Sequence, residues 1–324
     1  MKVFSRCMAM AALAAALCSP PSPSLAQDYP ARPIRVVVGY GAGGGTDMIA
    51  RLAAEYMSKE LAQTVVVENK PGAGGNIASE AVARAPADGY TLLLAVNNVT
   101  INPYIYKQMQ VDIEHDLRGI SIIATSPIVL VTNDSAPFAS LKEMLDYAHA
   151  NPGKVSYGTP GIGTPQHLAV ELLMHMTQTK MTHIPYKGSS QSLSDLLAGH
   201  IPLVSAAINS AEPFIMAKKL KGLAVADSKR VDSLSNVPSI SEAVPGYEVR
   251  IWYGLMAPAK TPDAIITKLN QALAHAVENP EMHKRMKEQG YETALTTPQE
   301  MDSDIKKDLK KWEEVIRAAG IQAQ

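Results

Sequence analysis

Residues 35–38 form a β-branched apolar run without a polar interruption, the pattern of a buried strand. The run stops at Gly39, and five glycines fall within residues 39–45, too many for a strand or a helix to continue by propensity. Apolar positions then recur at helical spacing through Ile49, Leu52, Ala53, Tyr56 and Met57, with Thr46 and Asp47 as candidate N-caps. The alternation continues with a strand over 65–67 ending in Glu68, a second glycine loop over 70–75, and an Ala-rich helix over 77–85. A third strand, residues 91–96, runs into Asn97, Asn98 and Thr100. Three strand–loop–helix steps predict a parallel sheet with helices on both faces, whose ligands bind at the carboxyl ends of the strands.

Residues 120–125, Pro127 and residues 128–132 read as a long strand broken by proline, suited to crossing between domains. A helix over 141–149 follows, capped by Ser140 and ended by Asn151-Pro152-Gly153. Residues 155–165 then repeat the opening logic: a short strand, a glycine loop, Thr164 as N-cap and Pro165 at the first helical position. Its helix carries Leu168, Leu172 and Leu173; a strand over 183–186 and a helix over 193–198 come next. Short strands are expected at 223–226 and 252–256, the second where the chain crosses back. Two amphipathic helices close the sequence, one opened by Thr261-Pro262 and one over 300–319 with Ile305, Leu309, Trp312 and Ile316 on one stripe. Both are expected to pack on the first domain. The two glycine loops that open helices, one per half, are expected to face each other across a cleft.

The first residues change the compartment. Lys2 and Arg6 precede an apolar stretch, and Ser24-Leu25-Ala26 supplies small residues for cleavage after Ala26, the pattern of a Sec signal peptide over residues 1–26. Both cysteines, Cys7 and Cys18, fall inside it, so the 298 residues that remain are expected to hold no disulfide, thiol nucleophile or Cys metal site. Loss of Lys2 and Arg6 takes the net charge from −1 to −3, too acidic for a nucleic-acid partner. The expectation is an exported two-domain protein.

The candidate chemistry lies at the glycine loops. Free amides at a helix start, aided by the helix dipole, favour an anion. Residues 39–44 are a literal GxGxxG, and Glu68 stands about where a dinucleotide fold keeps its ribose-binding acid. Export and the carboxylate of Asp47 beside the loop count against a dinucleotide. The competing reading is a receptor holding a small carboxylate against backbone amides. Asp47 suits either an amino group, a water or a helix cap; Asn97 and Asn98 suit either the pocket or a turn. Tyr40 and Tyr253 suit either a pocket wall or the core. His167, Glu171 and His175 lie at i, i+4 and i+8, too far apart along one helix for a single ion, and read as surface or capping groups. No metal, cofactor or catalytic residue is nominated, and Ser303–Lys306 matches SxxK without its partner motifs.

Ser24-Leu25-Ala26, Tyr29-Pro30, Pro33-Ile34, the glycine loop ending in Thr46-Asp47 with Ile49-Ala50-Arg51, and Glu68-Asn69-Lys70-Pro71-Gly72-Ala73-Gly74-Gly75-Asn76 together resemble the Bug-type, TctC-like periplasmic binding proteins of tripartite tricarboxylate transporters. Ala87–Leu92, Ile101-Asn102-Pro103, Asn151–Lys154, Gly161–Leu168, Pro185–Gly188, Leu223–Val225 and Trp252–Pro262 extend the resemblance over the whole mature chain, in order. It implies an α/β, two-lobed Venus-flytrap fold, each lobe a mainly parallel sheet flanked by helices. Its lobes are residues 27–126 with 250–324, and 127–249. It implies a non-enzymatic monomeric receptor in the periplasm of a Gram-negative cell, which hands a small carboxylate to a membrane permease pair. A sensor feeding a histidine kinase is the alternative, and an exported dinucleotide oxidoreductase the third reading. The ligand site implied is Gly43, Gly44, Gly45, Thr46 and Asp47 on one lobe, and Thr159, Gly161, Gly163 and Thr164 on the other; Tyr40 and Asn97 are added to it from the reading of the residues themselves. The sequence departs from the family in Gly39-Tyr40 for a usual Pro-Phe, and in Pro202 and Ala206 where aspartates are common. That leans toward a ligand without an ammonium group.

Overall fold

The structure, a computed structural model, describes residues 29–321; the expected leader and its cleavage site lie outside them. The chain runs β1 (Ile34–Val38), α1 (Gly45–Glu60), β2 (Val65–Asn69), α2 (Asn76–Ala83), β3 (Thr91–Val96), α3 (Asn98–Ile105) and β4 (Leu117–Thr132). It continues through α4 (Leu141–Ala150), β5 (Ser156–Thr159), α5 (Pro165–Thr177), β6 (Thr182–Pro185), α6 (Ser189–Leu197), β7 (Leu203–Ala207), α7 (Ile208–Met216) and β8 (Lys221–Val225). It closes with β9 (Arg250–Pro258), α8 (Asp263–Glu278), α9 (Pro280–Glu288), β10 (Glu292–Thr293) and α10 (Pro298–Ala319).

The sheet order is β2-β1-β3-β9-β4-β7-β5-β6, with β8 and β10 beside β4. β1 pairs parallel with β2 and β3, and β5 pairs parallel with β6 and β7. Between these groups β4 and β9 run antiparallel to each other and to their neighbours. β4 is unbroken over 16 residues, contrary to the expected interruption at Pro127. The reason is position: β4 pairs with β9 as far as Pro127↔Arg250 and with β7 from Ile128↔Ala207 onward. A proline where one ladder hands over to the next removes no needed donor. The result is a two-lobed α/β fold joined along β4 and β9.

One buried apolar cluster runs through both lobes, joining Ile49, Leu52 and Met57 of α1 to Leu168 and Leu172 of α5. A second lies on the other face of the first lobe under Met301 and Ile305, and a third lies under Leu193 and Ala211 in the second lobe. α10 therefore does more than the expected packing on one domain: its first half joins the first-lobe cluster, while Trp312 and Ile316 enter the shared one beside α5. Helices α3, α7 and α9 were not expected from the pattern. α3 and α7 carry internal prolines, and α9 buries only Met282 and Met286 among charged residues.

Candidate functional site

The first glycine loop folds differently from the expected cap. α1 begins at Gly45, its N-cap is Gly44, and no side chain caps it. Thr46 and Asp47 lie inside the first turn, so neither is the N-cap. With only Tyr40 and Ala42 offering side chains in the loop, its polar support comes from Asp47. That carboxylate is buried and accepts from the Gly43 amide (2.9 Å), Arg51 Nε (2.9 Å) and Asn69 Nδ2 (2.9 Å). Asn69 Nδ2 also donates to the Tyr40 carbonyl (3.0 Å), tying the first loop to the end of β2. The hydrogen bond from Arg51 is the main reason the Asp47 carboxyl is held down to about 2, against the opposing effect of burial. Asp47 is thus an ionised, fully engaged group. Gly43, Gly44 and Gly45 are exposed, and among the described residues the amides of Gly45, Thr46 and Asp47 make no hydrogen bond. Three unpartnered donors thus stand at the positive end of a 16-residue helix, where negative charge is favoured.

The second loop is satisfied from within. Thr164 caps α5 as expected: its hydroxyl accepts from the His167 amide (3.3 Å) and donates to the Gly161 carbonyl (2.9 Å). Thr159 is buried; its hydroxyl accepts from the Gly161 amide (3.3 Å) and pairs with His183 Nε2 (2.7 Å). The Gly163 amide donates to His167 Nδ1 (3.1 Å). His167 is therefore neither a surface nor a capping residue, as its spacing had suggested, but a buried acceptor beneath the loop. Its Nε2 faces Glu171 (3.3 Å), which also accepts from the Tyr157 hydroxyl (2.6 Å). Its ring stacks on His183 at 3.8 Å between centroids. Burial, reinforced by the neighbouring His167, pushes His183 down to about 3. His175 is exposed and takes no part.

First-lobe residues bridge the two loops. The Tyr40 hydroxyl donates to the Gly74 carbonyl (3.4 Å), as does Asn102 Nδ2 (3.0 Å). Ile105, at the end of α3, packs against Gly163 so closely that its side chain would have to shift to admit a Cβ there. Tyr291 fills the same role at Gly45, where its hydroxyl leaves no room for a side chain. Tyr291 meets Tyr253 edge-on at 5.5 Å and lies within polar reach of Asn209, the second residue of α7. Burial pushes the phenols of Tyr40, Tyr253 and Tyr291 up, so all three are neutral hydroxyls. The amides of Ile208, Asn209 and Ser210 make no hydrogen bond among the described residues. Two open helix starts, those of α1 and α7, therefore stand on either side of Tyr291. Neither Asn209 nor Tyr291 carried a sequence signal: one opens an unexpected helix, the other follows Gly290 in a charged segment.

Asn97 is wholly buried at the end of β3. Its Nδ2 donates to the Arg250 carbonyl (3.0 Å), and its Oδ1 has no partner among the described residues. Ala206 is buried in the apolar cluster with Val129 and Leu193, where an aspartate would have no water. Glu68 pairs with Arg35 (2.9 Å) and Lys70 (3.1 Å) rather than standing free for a ribose. Between the lobes a cavity of about 450 Å³ is lined by Pro127, Ile208 and Tyr291, with Lys229 and Glu212 on one side and Lys287 and Glu292 on the other. Among the described residues no group of His, Cys, Asp or Glu is arranged to hold a metal ion, and no helix is long and apolar enough to cross a membrane.

Residues 49–321 match the model of a family described as the tripartite tricarboxylate transporter family receptor. The chain is 32% identical over 302 residues to the protein BugT of Bordetella pertussis, covering 92% of this chain and 93% of that one. Among solved structures it is similar to an R. palustris protein with adipate, at 35% identity and a TM-score of 0.77, covering 92% of this chain and 100% of the other. It is also similar to MatC of Rhodopseudomonas palustris with bound malate, at 28% identity and a TM-score of 0.73, covering 89% and 100%.

Proposed function

Because the chain belongs to the tripartite tricarboxylate transporter receptor family, we propose that it is a periplasmic, non-enzymatic and monomeric receptor for a small dicarboxylate, which it delivers to the membrane permease of such a transporter. The observation that carries this reading is the pair of open helix starts, α1 and α7, on opposite lobes around the neutral hydroxyl of Tyr291. A carboxylate placed there receives N–H donors from Gly45, Thr46 and the Asp47 backbone. Asn209 and Ser210 supply the other lobe, and Tyr40 forms the wall. Gly43, Gly44, Thr159, Gly161, Gly163 and Thr164 act by shaping the two loops, and Asn97 by tying β3 to the inter-lobe crossing. The lobes divide at Pro127 and Arg250. A ligand bridging them stabilises the closed arrangement by its differential affinity for it. The adipate and malate bound in similar structures supply the ligand class.

The test is a thermal-shift screen on protein stripped of carried-over ligand by denaturation and refolding. The panel holds adipate, malate, citrate, aromatic carboxylates, amino acids and NAD. A ligand at 100 times its Kd adds about 2.7 kcal/mol of stability, a shift of a few degrees at this size. A shift with a dicarboxylate, lost in Gly45→Val, supports the reading. A shift with NAD alone sinks it.

A further inference from the structure

The two lobes carry the same device at the same place. In each, a glycine with positive φ stands two residues before a helix: Gly43 (φ +81°) before α1 and Gly163 (φ +73°) before α5. In each, the third residue of that helix reaches back and accepts from this glycine's amide, Asp47 at 2.9 Å and His167 at 3.1 Å. In each, the residue one turn further on faces the acceptor: Arg51 at 2.9 Å and Glu171 at 3.3 Å. Both acceptors are 3% exposed, so each is held by protein contacts and not by solvent. The helix starts themselves differ, one an uncapped glycine and the other a threonine cap with proline, so the shared feature is not a by-product of a shared cap.

We infer that the side chains of Asp47 and His167 are matched positioning groups, each latching one glycine loop in its shape without itself touching the ligand. This rests on the placement of the ligand at these loops. The physical argument concerns direction. A glycine loop has many conformations of similar energy, and the latch selects one by fixing a single amide inward. With Gly43 turned in toward Asp47, the amides of Gly45 and Thr46 are left to face out. With Gly163 turned in toward His167, the loop presents the surface against which Ile105 closes. The Asp47 carboxylate must be ionised to accept from three donors. His167 must keep Nδ1 unprotonated, so its ring proton sits on Nε2 toward Glu171.

The test compares H167L and H167N with D47L and D47N in the intact protein. Asparagine places an acceptor oxygen near the carboxylate oxygen it replaces in Asp47 and near Nδ1 in His167; leucine places none. Hydrogen exchange at the Gly43 and Gly163 amides is read first, without ligand. Leucine at 167 is expected to speed exchange at Gly163 roughly tenfold and leave Gly43 unchanged, and leucine at 47 to do the reverse; asparagine restores protection at each. Unchanged exchange in the leucine variants overturns the latches, whatever happens to binding. Should a leucine variant fail to fold, the asparagine variant decides: protection retained supports the acceptor role, and protection lost overturns it. Affinity is then measured with whichever of adipate and malate stabilises the wild type. Tenfold or greater loss in the leucine variants, recovered by asparagine, supports the inference. Fast exchange with unchanged affinity leaves the latches standing and instead overturns the placement of the ligand at these loops.

Discussion

At the scale of single residues, the site is decided by which polar atoms are already engaged. Thr159 and Thr164 carry hydroxyls, yet each is committed within its loop. Gly45 and Thr46 present backbone amides that are free among the described residues. Gly45→Val drives a side chain into the Tyr291 hydroxyl and should weaken dicarboxylate binding at least about tenfold while far-ultraviolet circular dichroism stays unchanged. Calorimetric titration of the variant checks it. His183 gives a prediction in pH. Its folded pKa of about 3 lies below the unfolded 6.5, so the unfolded state binds the extra proton between those values. The neutral ring's contribution is complete above about pH 6.5 and is lost as pH falls toward 3, with a slope of at most about 1.4 kcal/mol per pH unit. Urea unfolding at several pH values should show a slope in the wild type that exceeds that of His183→Asn by up to this amount.

At the scale of elements, the strength of a helix's own pattern did not decide its role. α5 has a strong sequence signature in Thr164-Pro165, and removing the cap with Thr164→Ala should cost about 1 kcal/mol, read from the urea midpoint. α7 has an internal proline and no side-chain cap, and its open start leaves the amides of Ile208, Asn209 and Ser210 free among the described residues. β7, which leads into α7, holds Ala206 against Val129 and Leu193. An aspartate there would bury an unpaired carboxylate in an apolar cluster. Ala206→Asp is therefore expected to destabilise by several kcal/mol and not to introduce amino-acid binding. A soluble, equally stable variant that acquires an amino-acid ligand would contradict this placement of β7.

At the scale of the whole molecule, the contacts that matter join the lobes. Ile105 of the first lobe lies on Gly163 of the second, and Asn209 of the second lies beside Gly290 and Tyr291 of the first. A side chain at Gly163 would have to displace Ile105. Gly163→Val, with its positive φ, carries a local strain cost as well. The expected outcome is a protein whose lobes remain folded but whose closure is blocked. Small-angle scattering at saturating ligand should then give a larger radius of gyration than for the wild type, with weaker affinity. An unchanged radius would mean that this contact does not limit closure.

Much of the architecture was legible along the chain, because strands with β-branched runs, glycine loops and capped helices announce themselves through local physics. The order of strand, loop and helix, the cap at Thr164 and the glycine loop between β1 and α1 all follow from neighbours in sequence. Resemblance over the chain carried the family, which the match over residues 49–321 bears out. What the sequence alone left undecided depends on residues far apart in number. Whether Asp47 caps a helix, meets a ligand or holds a loop turns on Asn69 and on the direction of the Gly43 amide. Whether His167 is exposed turns on Tyr157 and His183 arriving from other strands. Tyr291 reaches Gly45 only because the chain returns to the first lobe after β9. Local pattern sets which backbone groups are free to bind; only the packing of distant segments determines which of them are already occupied.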